Sequence, residues 1–329
     1  MFAAVSAMGF LFVSAGARQS ESSKHDDHKK EKASMIKHEY AEVNGVRLHY
    51  ATAGKGKLIM FVHGFPEFWY EWKNQLAEFG QEYMAVAPDM RGYNLSSKPA
   101  EVDQYQVKYM VEDLRALAEK LGHKKFILVA HDWGGAIAWA FALTHPDYVE
   151  KLVIINAPHP GVFARELRDN PAQQKASGYM LMFRSPQAEQ TLSANNYALL
   201  VQVVLGEGLK TGAFTEDDKK AYIEAWSQPG ALTGGLNYYR AARVGPPSGE
   251  GDNKEGASFG VNAPSLVVKV PTLVIWGEKD VALLLGNLDG LDKFVPNLTI
   301  KRIPDGSHWV IHEKPALVNG YIREFIKSK

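Results

Sequence analysis

Asp132 stands where a buried strand has to turn sharply into a helix. The stretch Phe126–Gly135 reads FILVAHDWGG, and a helical run follows from Ala136 to about Thr144. In Ala130-His131-Asp132-Trp133-Gly134 the small end residues let the backbone double back. The middle side chain is left exposed at the top of the strand and at a helix N-terminus. This is the pattern of a nucleophile elbow, with Asp in the place usually held by Ser. Nucleophilic catalysis also needs a base and a group that orients the base. In elbow folds the acid follows the nucleophile and His comes last. Asp280, in Trp276-Gly277-Glu278-Lys279-Asp280, and His308, in Asp305-Gly306-Ser307-His308-Trp309, fill that order. Singly, the Asp reads equally well as a helix cap and the His as a solvated loop residue. Order and placement together favour the catalytic reading. Glu278 is the alternative acid, and the position after the strand ending at Asn156 carries no carboxylate. Charge developing on an acyl oxygen calls for backbone N–H donors. The chain offers those of Trp133, next to Asp132, and of Phe65, in the loop after the strand Lys57–Val62.

An Asp nucleophile selects a chemistry. Serine attacking a saturated carbon makes an ether, which water does not cleave. A carboxylate makes an ester, and His308 can open it by activating water against the Asp132 acyl carbon. An alcohol leaves and the carboxylate is restored. Alkyl transfer to water is thereby favoured over esterase or lipase chemistry.

These residues need strands that end at one edge. His38–Val43 and Val46–Ala51 alternate around Asn44-Gly45, a hairpin signal. Lys57–Val62, Tyr83–Ala87, Leu152–Asn156, Thr272–Trp276 and Leu298–Ile303 read as further strands. Helices are expected over Glu67 to about Phe79, Gln104–Leu121, Val281–Phe294 and Pro315–Lys327. Alternation of this kind predicts the α/β class, a mostly parallel central sheet flanked by helices. It also puts Asp132, Asp280 and His308 at C-terminal strand ends, where open sheets bind ligands. From Gly161 to about Ser265 no such strand is evident. The stretch reads as helices around Met180–Phe183, Asn196–Leu205, Glu216–Trp226 and Leu232–Arg243, closed by a Gly- and Pro-rich loop, Pro246–Pro264. The expected organisation is a core, 36–160 and 266–329, with a helical cap (lid), 161–265, inserted between late strands.

The 329 residues carry 37 Lys+Arg against 37 Asp+Glu. Zero net charge argues against nucleic acid or an anionic membrane surface as the main partner. Without cysteine, disulfides, thiolate catalysis and zinc–thiolate sites are excluded. Residues 1–17 are mostly apolar or small and end in Ala15-Gly16-Ala17, the form of a signal-peptidase site, although no Lys or Arg stands near the start. The apolar run is too short for a comfortable membrane span. Export to a periplasmic or extracellular location is expected, with a cytoplasmic protein as the alternative. Residues 18–35 are polar and charged and read as a disordered linker.

Five motifs in this order, HGFPE at His63, DMRGY at Asp89, HDWGG at His131, GEKD at Gly277 and GSHW at Gly306, resemble the α/β-hydrolase superfamily. Within it they resemble the epoxide hydrolase and haloalkane dehalogenase branch, which carries an Asp nucleophile. The resemblance runs from about Met35 to the C-terminus. Asn94 replaces Gly in the family's RGYG pattern, a minor change for a residue that tolerates left-handed backbone. The resemblance implies two cap tyrosines that hydrogen-bond the epoxide oxygen, because an alkoxide is too basic to leave unassisted. Tyr179, ahead of MLMF, and Tyr239, in LNYYR, stand in the corresponding contexts; a neutral hydroxyl there can donate. Packing aromatics are the plainer reading, and Tyr238 is the alternative to Tyr239. Dehalogenases pair the elbow Trp with Asn or Trp after His-Gly, where this chain has Phe65. Fluoroacetate-type dehalogenases typically carry Arg at the position of Trp133, so an anionic haloacid is not the expected substrate. His63, His131 and His159 are expected to be scaffold. Phe68, Trp69, Trp72 and Phe183 either line an apolar pocket or pack the core.

The expected protein is an epoxide hydrolase that converts a small apolar epoxide and water into a vicinal diol, with no metal and no organic cofactor. The alternatives are a dehalogenase using the same Asp132 and a non-catalytic relative that binds a small ligand. The residues do not choose among detoxification, catabolism and signalling.

Overall fold

Strands with apolar side chains on both faces belong in the middle of a covered sheet. The computed structural model describes residues 36–247, 259, 261, 263 and 265–328. The leader 1–17, the linker 18–35 and most of the loop Pro246–Pro264 lie outside the described residues. The strands are β1 (Lys37–Val43), β2 (Val46–Ala53), β3 (Leu58–Val62), β4 (Met84–Pro88), β5 (Phe126–His131), β6 (Val149–Ile155), β7 (Thr272–Gly277) and β8 (Leu298–Ile303). They form one sheet in the order β1-β2-β4-β3-β5-β6-β7-β8. β2 is antiparallel to both neighbours, and the other pairs are parallel. β3, β5 and β7 are buried along their whole length.

In chain order the helices begin with α1 (Lys73–Phe79), α2 (Val107–Lys120) and α3 (Asp132–Thr144). Between β6 and β7 come α4 (Pro160–Asp169), α5 (Pro171–Ala176), α6 (Tyr179–Arg184), α7 (Ala188–Leu200), α8 (Gly206–Thr211), α9 (Glu216–Ser227) and α10 (Ala231–Ala242). The chain closes with α11 (Val310–Glu313) and α12 (Pro315–Lys327). α2 buries Val107, Met110, Val111, Leu114 and Leu117 at the expected three- and four-residue spacing, each contributing about 1.5–3 kcal/mol of apolar burial. Among the described residues no helix is long and apolar enough to cross a membrane.

Register brings the reactive loops together. Val62 of β3 pairs with Ala130 of β5, and His131 pairs with Ile155 of β6. Ile155 pairs with Ile275, and Gly277 of β7 pairs with Ile303 of β8. The segments after β3, β5, β7 and β8 therefore leave the sheet side by side at one edge. The loop after β4 is pinned separately. The Arg91 guanidinium donates to both carboxylate oxygens of Asp113 on α2, at 2.6 and 2.8 Å, with both side chains buried. Removing one partner of a buried pair leaves the other uncompensated. Asp113→Ala is expected to lower the unfolding free energy by about 3–5 kcal/mol, read from denaturant unfolding. A loss below about 1 kcal/mol would mean that the pair behaves like an exposed one.

Two expected helices differ in the structure. Val281–Phe294 is not an α-helix; it holds only 3₁₀ turns at Leu285–Leu288 and Leu291–Lys293. Its backbone donors go to side chains instead. Asp280 Oδ1 takes the N–H groups of Ala282 and Leu283, and Gln173 from α5 takes that of Leu284. Gly290, at φ 69°, interrupts what remains. The stretch Asn196–Leu205 is also broken. α7 carries left-handed backbone at Asn195, Asn196 and Tyr197, and a π turn follows over Val201–Leu205.

Candidate active site

Asp132 opens α3 with φ 48°, a left-handed conformation that a non-glycine residue adopts at a cost and that clusters at functional sites. The small neighbours make the turn feasible. A Cβ on Gly134 would lie 2.2 Å from the Val62 carbonyl oxygen, and one on Gly64 would lie 2.3 Å from Asp132 Oδ1. The close approach of the β3 loop brings the Phe65 N–H to 2.8 Å from Asp132 Oδ1. The Trp133 N–H lies in the first turn of α3, where backbone donors have no intrahelical acceptor.

His308 and Asp280 converge on the same carboxylate. His308 Nε2 is 3.7 Å from Asp132 Oδ2, and its Nδ1 is 2.7 Å from Asp280 Oδ2. Burial disfavours a charged imidazole, but Asp280 and then Asp132 outweigh it and raise His308 to about 9. Burial would raise Asp280 too. The His308 charge and hydrogen bond, the Leu283 N–H and the Asn156 amide overcome it and hold Asp280 below its ordinary value. Asn156, at φ 40°, donates to Asp280 Oδ2 at 2.8 Å and accepts from the Gly277 N–H at 2.9 Å. The position without a carboxylate thus fixes the orientation of the carboxylate on the next strand. Glu278 points elsewhere, to Arg302 at 2.6 Å.

The inserted helices place aromatics over Asp132. Tyr239 of α10 is buried against Phe65, Trp133 and Phe183, with ring centroids at 5.5, 5.1 and 5.0 Å. Tyr179 of α6 lies 6.4 Å from Tyr239, centroid to centroid. Burial first, and then the Asp132 carboxylate, push both phenols well above 10, so both hydroxyls keep their protons. Tyr238 is separated from Tyr239 by its bonding: its hydroxyl donates to the Arg91 carbonyl at 2.9 Å. Of the other aromatics singled out in the sequence, Phe183 reaches this cluster. Trp72 is wholly buried against Phe61, away from it.

The other histidines bond to the scaffold. His63 binds the Gly64 carbonyl and accepts the Met90 N–H. His159 caps α4 through the Gly161 N–H. His131 bonds Glu71 and the His308 carbonyl. Sequence reading passed over Glu67, Glu71, Tyr222 and His312, which lie up to 245 positions apart. Nothing local in the chain marks them. Among the described residues Glu67, Glu71 and His312 have metal-ligand spacing, with one donor atom each within 4.8 Å. Glu67 and His312 already share a hydrogen bond of 3.0 Å.

The family model described as alpha/beta hydrolase fold matches residues 57–315. A relative in Bacillus subtilis, the AB hydrolase superfamily protein YfhM, is 40% identical over 89% of this chain and 99% of its own length. Epoxide hydrolase 4 of Mus musculus is 37% identical over 87% of this chain and 78% of its own. Among solved structures, an epoxide hydrolase of Bacillus megaterium in complex with an inhibitor is similar with a TM-score of 0.82 and 39% identity, covering 88% of this chain and 100% of that one. An epoxide hydrolase of Vigna radiata is similar with a TM-score of 0.74 and 29% identity, covering 89% and 98%.

Proposed function

The chain belongs to the α/β-hydrolase family, among relatives named epoxide hydrolases, and from that premise we propose that it opens small apolar epoxides to vicinal diols through an ester on Asp132. One observation carries the reading. The Asp132 carboxylate accepts the Phe65 N–H at 2.8 Å through one oxygen and faces His308 at 3.7 Å through the other, beneath two protonated tyrosines.

The two oxygens have different surroundings, and this divides their work. Oδ1 is held by a backbone donor, so it is the oxygen that carries negative charge in the tetrahedral intermediate. Oδ2 is the oxygen that attacks the epoxide carbon. As the ring opens, Tyr179 and Tyr239 donate to the departing oxygen, which would otherwise leave as an alkoxide. The new ester removes the Asp132 charge, and with it part of what keeps His308 protonated. His308, oriented by Asp280, then takes a proton from water as water attacks the acyl carbon. The alcohol leaves with the oxygen that Asp132 contributed. Halide release needs a side-chain donor beside the elbow. Phe65 supplies none, and the Trp133 indole hydrogen-bonds the Tyr239 hydroxyl.

A single turnover in heavy-oxygen water tests the pathway. The diol is expected to emerge unlabelled, with the label in Asp132. Label in the first diol would mean direct attack of water and would refute the ester. The tyrosines are tested by substitution. Tyr179→Phe and Tyr239→Phe are each expected to slow ring opening roughly tenfold. The double variant should lose about a hundredfold to ten-thousandfold, the range for a general acid. Tyr238→Phe should stay near wild type. A double variant within about threefold of wild type would remove the tyrosines from the mechanism.

A further inference from the structure

Behind the elbow lie buried polar groups that the reaction does not touch. His131 is wholly buried. Its Nε2 is 2.9 Å from the His308 main-chain oxygen, and its Nδ1 is 2.5 Å from Glu71 Oε1. A carbonyl oxygen only accepts, so Nε2 must carry a hydrogen. In a neutral ring Nδ1 is then an acceptor, and the hydrogen of the second bond has to come from Glu71. The other way to make both bonds is an imidazolium facing a carboxylate.

Several features oppose that charged pair. Glu71 is fully buried and its Oε2 has no hydrogen-bond partner. Such an orphan is far costlier on a carboxylate than on the C=O of a neutral acid. Glu67 lies close by and already takes both donors on that side, His312 at 3.0 Å and the Tyr222 hydroxyl at 2.5 Å. A second carboxylate beside it would be unmatched. The His131 ring lies 4.6 Å from the His308 ring, centroid to centroid, so an imidazolium there would face another. The groups acting on the pair are Glu67, His312, Asp132 and His308, with Lys73 acting on His312. Against this background burial holds His131 down at about 3 and Glu71 well above the carboxylate range.

We propose that Glu71 is a protonated carboxylic acid that donates its hydrogen to His131, locks that ring as the Nε2–H tautomer and thereby ties down the main chain of His308. Glu71 is a positioning residue, and its effect on turnover rests on the reading above, in which His308 is the base. The neutral pair anchors the base loop without adding charge beside Asp132. A carboxylate at Glu71 would instead hold His308 in its protonated form, which is no base.

Two measurements test this. Infrared difference spectra of wild type against Glu71→Gln, at neutral pH and above, are expected to contain a protonated-carboxyl C=O band that the variant lacks. A carboxylate signal in its place overturns the proposal. The second measurement is kinetic. A Gln amide donates to Nδ1 as a neutral acid does. Glu71→Gln is therefore expected to keep kcat/KM within about threefold, with its pH profile unmoved. Glu71→Leu, which lacks the donor, should slow ester hydrolysis about tenfold to a hundredfold, the scale of a misplaced reacting group, with a smaller effect on ester formation. A pH profile displaced in Glu71→Gln overturns the proposal. If Glu71→Leu does not fold, the spectrum and Glu71→Gln still decide. The spectrum reads the Glu71 proton whether or not epoxides are substrates, so failure of this inference and failure of the functional reading are distinguishable.

Discussion

His308→Gln, mixed with an epoxide, gains the mass of that epoxide on Asp132 and keeps it. Ring opening needs the carboxylate and the hydroxyl donors, which the substitution leaves in place. Hydrolysis needs a base 3.7 Å from Asp132 Oδ2, and Gln is not one. Turnover should fall by at least about a thousandfold while the first alkylation survives. Intact-protein mass followed by peptide mapping reads both. Adducts from haloalkanes alone would overturn the epoxide reading and move the function to dehalogenation. No adduct from either class would favour a ligand-binding role. The wild-type pH dependence follows from the same pair. Asp280 and Asp132 together hold His308 at about 9 against the effect of burial. Alkylation removes the Asp132 contribution, so His308 in the ester form titrates below about 9 and its neutral, basic form is lost as pH falls through that lower value. Steady-state kcat should decline on that acid side, whereas alkylation of His308→Gln should not.

Asp132→Ala abolishes both steps, with a loss of turnover of at least about a thousandfold and no covalent adduct with any epoxide. A variant within about tenfold of wild type would rule Asp132 out as nucleophile. This substitution carries a second readout. Because the Asp132 charge helps to raise His308, the imidazole should titrate at lower pH in Asp132→Ala, as followed by NMR. Ala at φ 48° retains the strained turn, so the shift reports the lost charge and not a relaxed backbone.

Much of the fold was legible because strand burial and helix periodicity are local properties of the chain. FILVA is apolar on both faces, and the spacing from Val107 to Leu117 marks one helix face. Asn44-Gly45 specified a hairpin turn because both residues tolerate positive φ, as observed. The order Asp132, Asp280, His308 followed from motifs in which the turn itself demands small neighbours. Other features were not legible. Val281–Phe294 has the apolar content of a helix, yet Asp280 and Gln173 take its backbone donors, and Gln173 comes from an insertion about a hundred residues upstream. Tyr238 and Tyr239 are adjacent in the chain and equivalent in type. Only packing sends one hydroxyl to the Arg91 carbonyl and the other towards Asp132.

The sequence by itself determined the reacting group. An Asp at a turn that admits no large neighbour is a covalent fact, and it carries the choice of ester chemistry. The tertiary structure alone decided how that group is supported. Asn156 became the amide that orients Asp280, and Glu71 joined His131 across 60 positions. Buried polar groups must find partners, and which partner each one finds depends on how strands and loops are brought side by side, which no short stretch of sequence specifies.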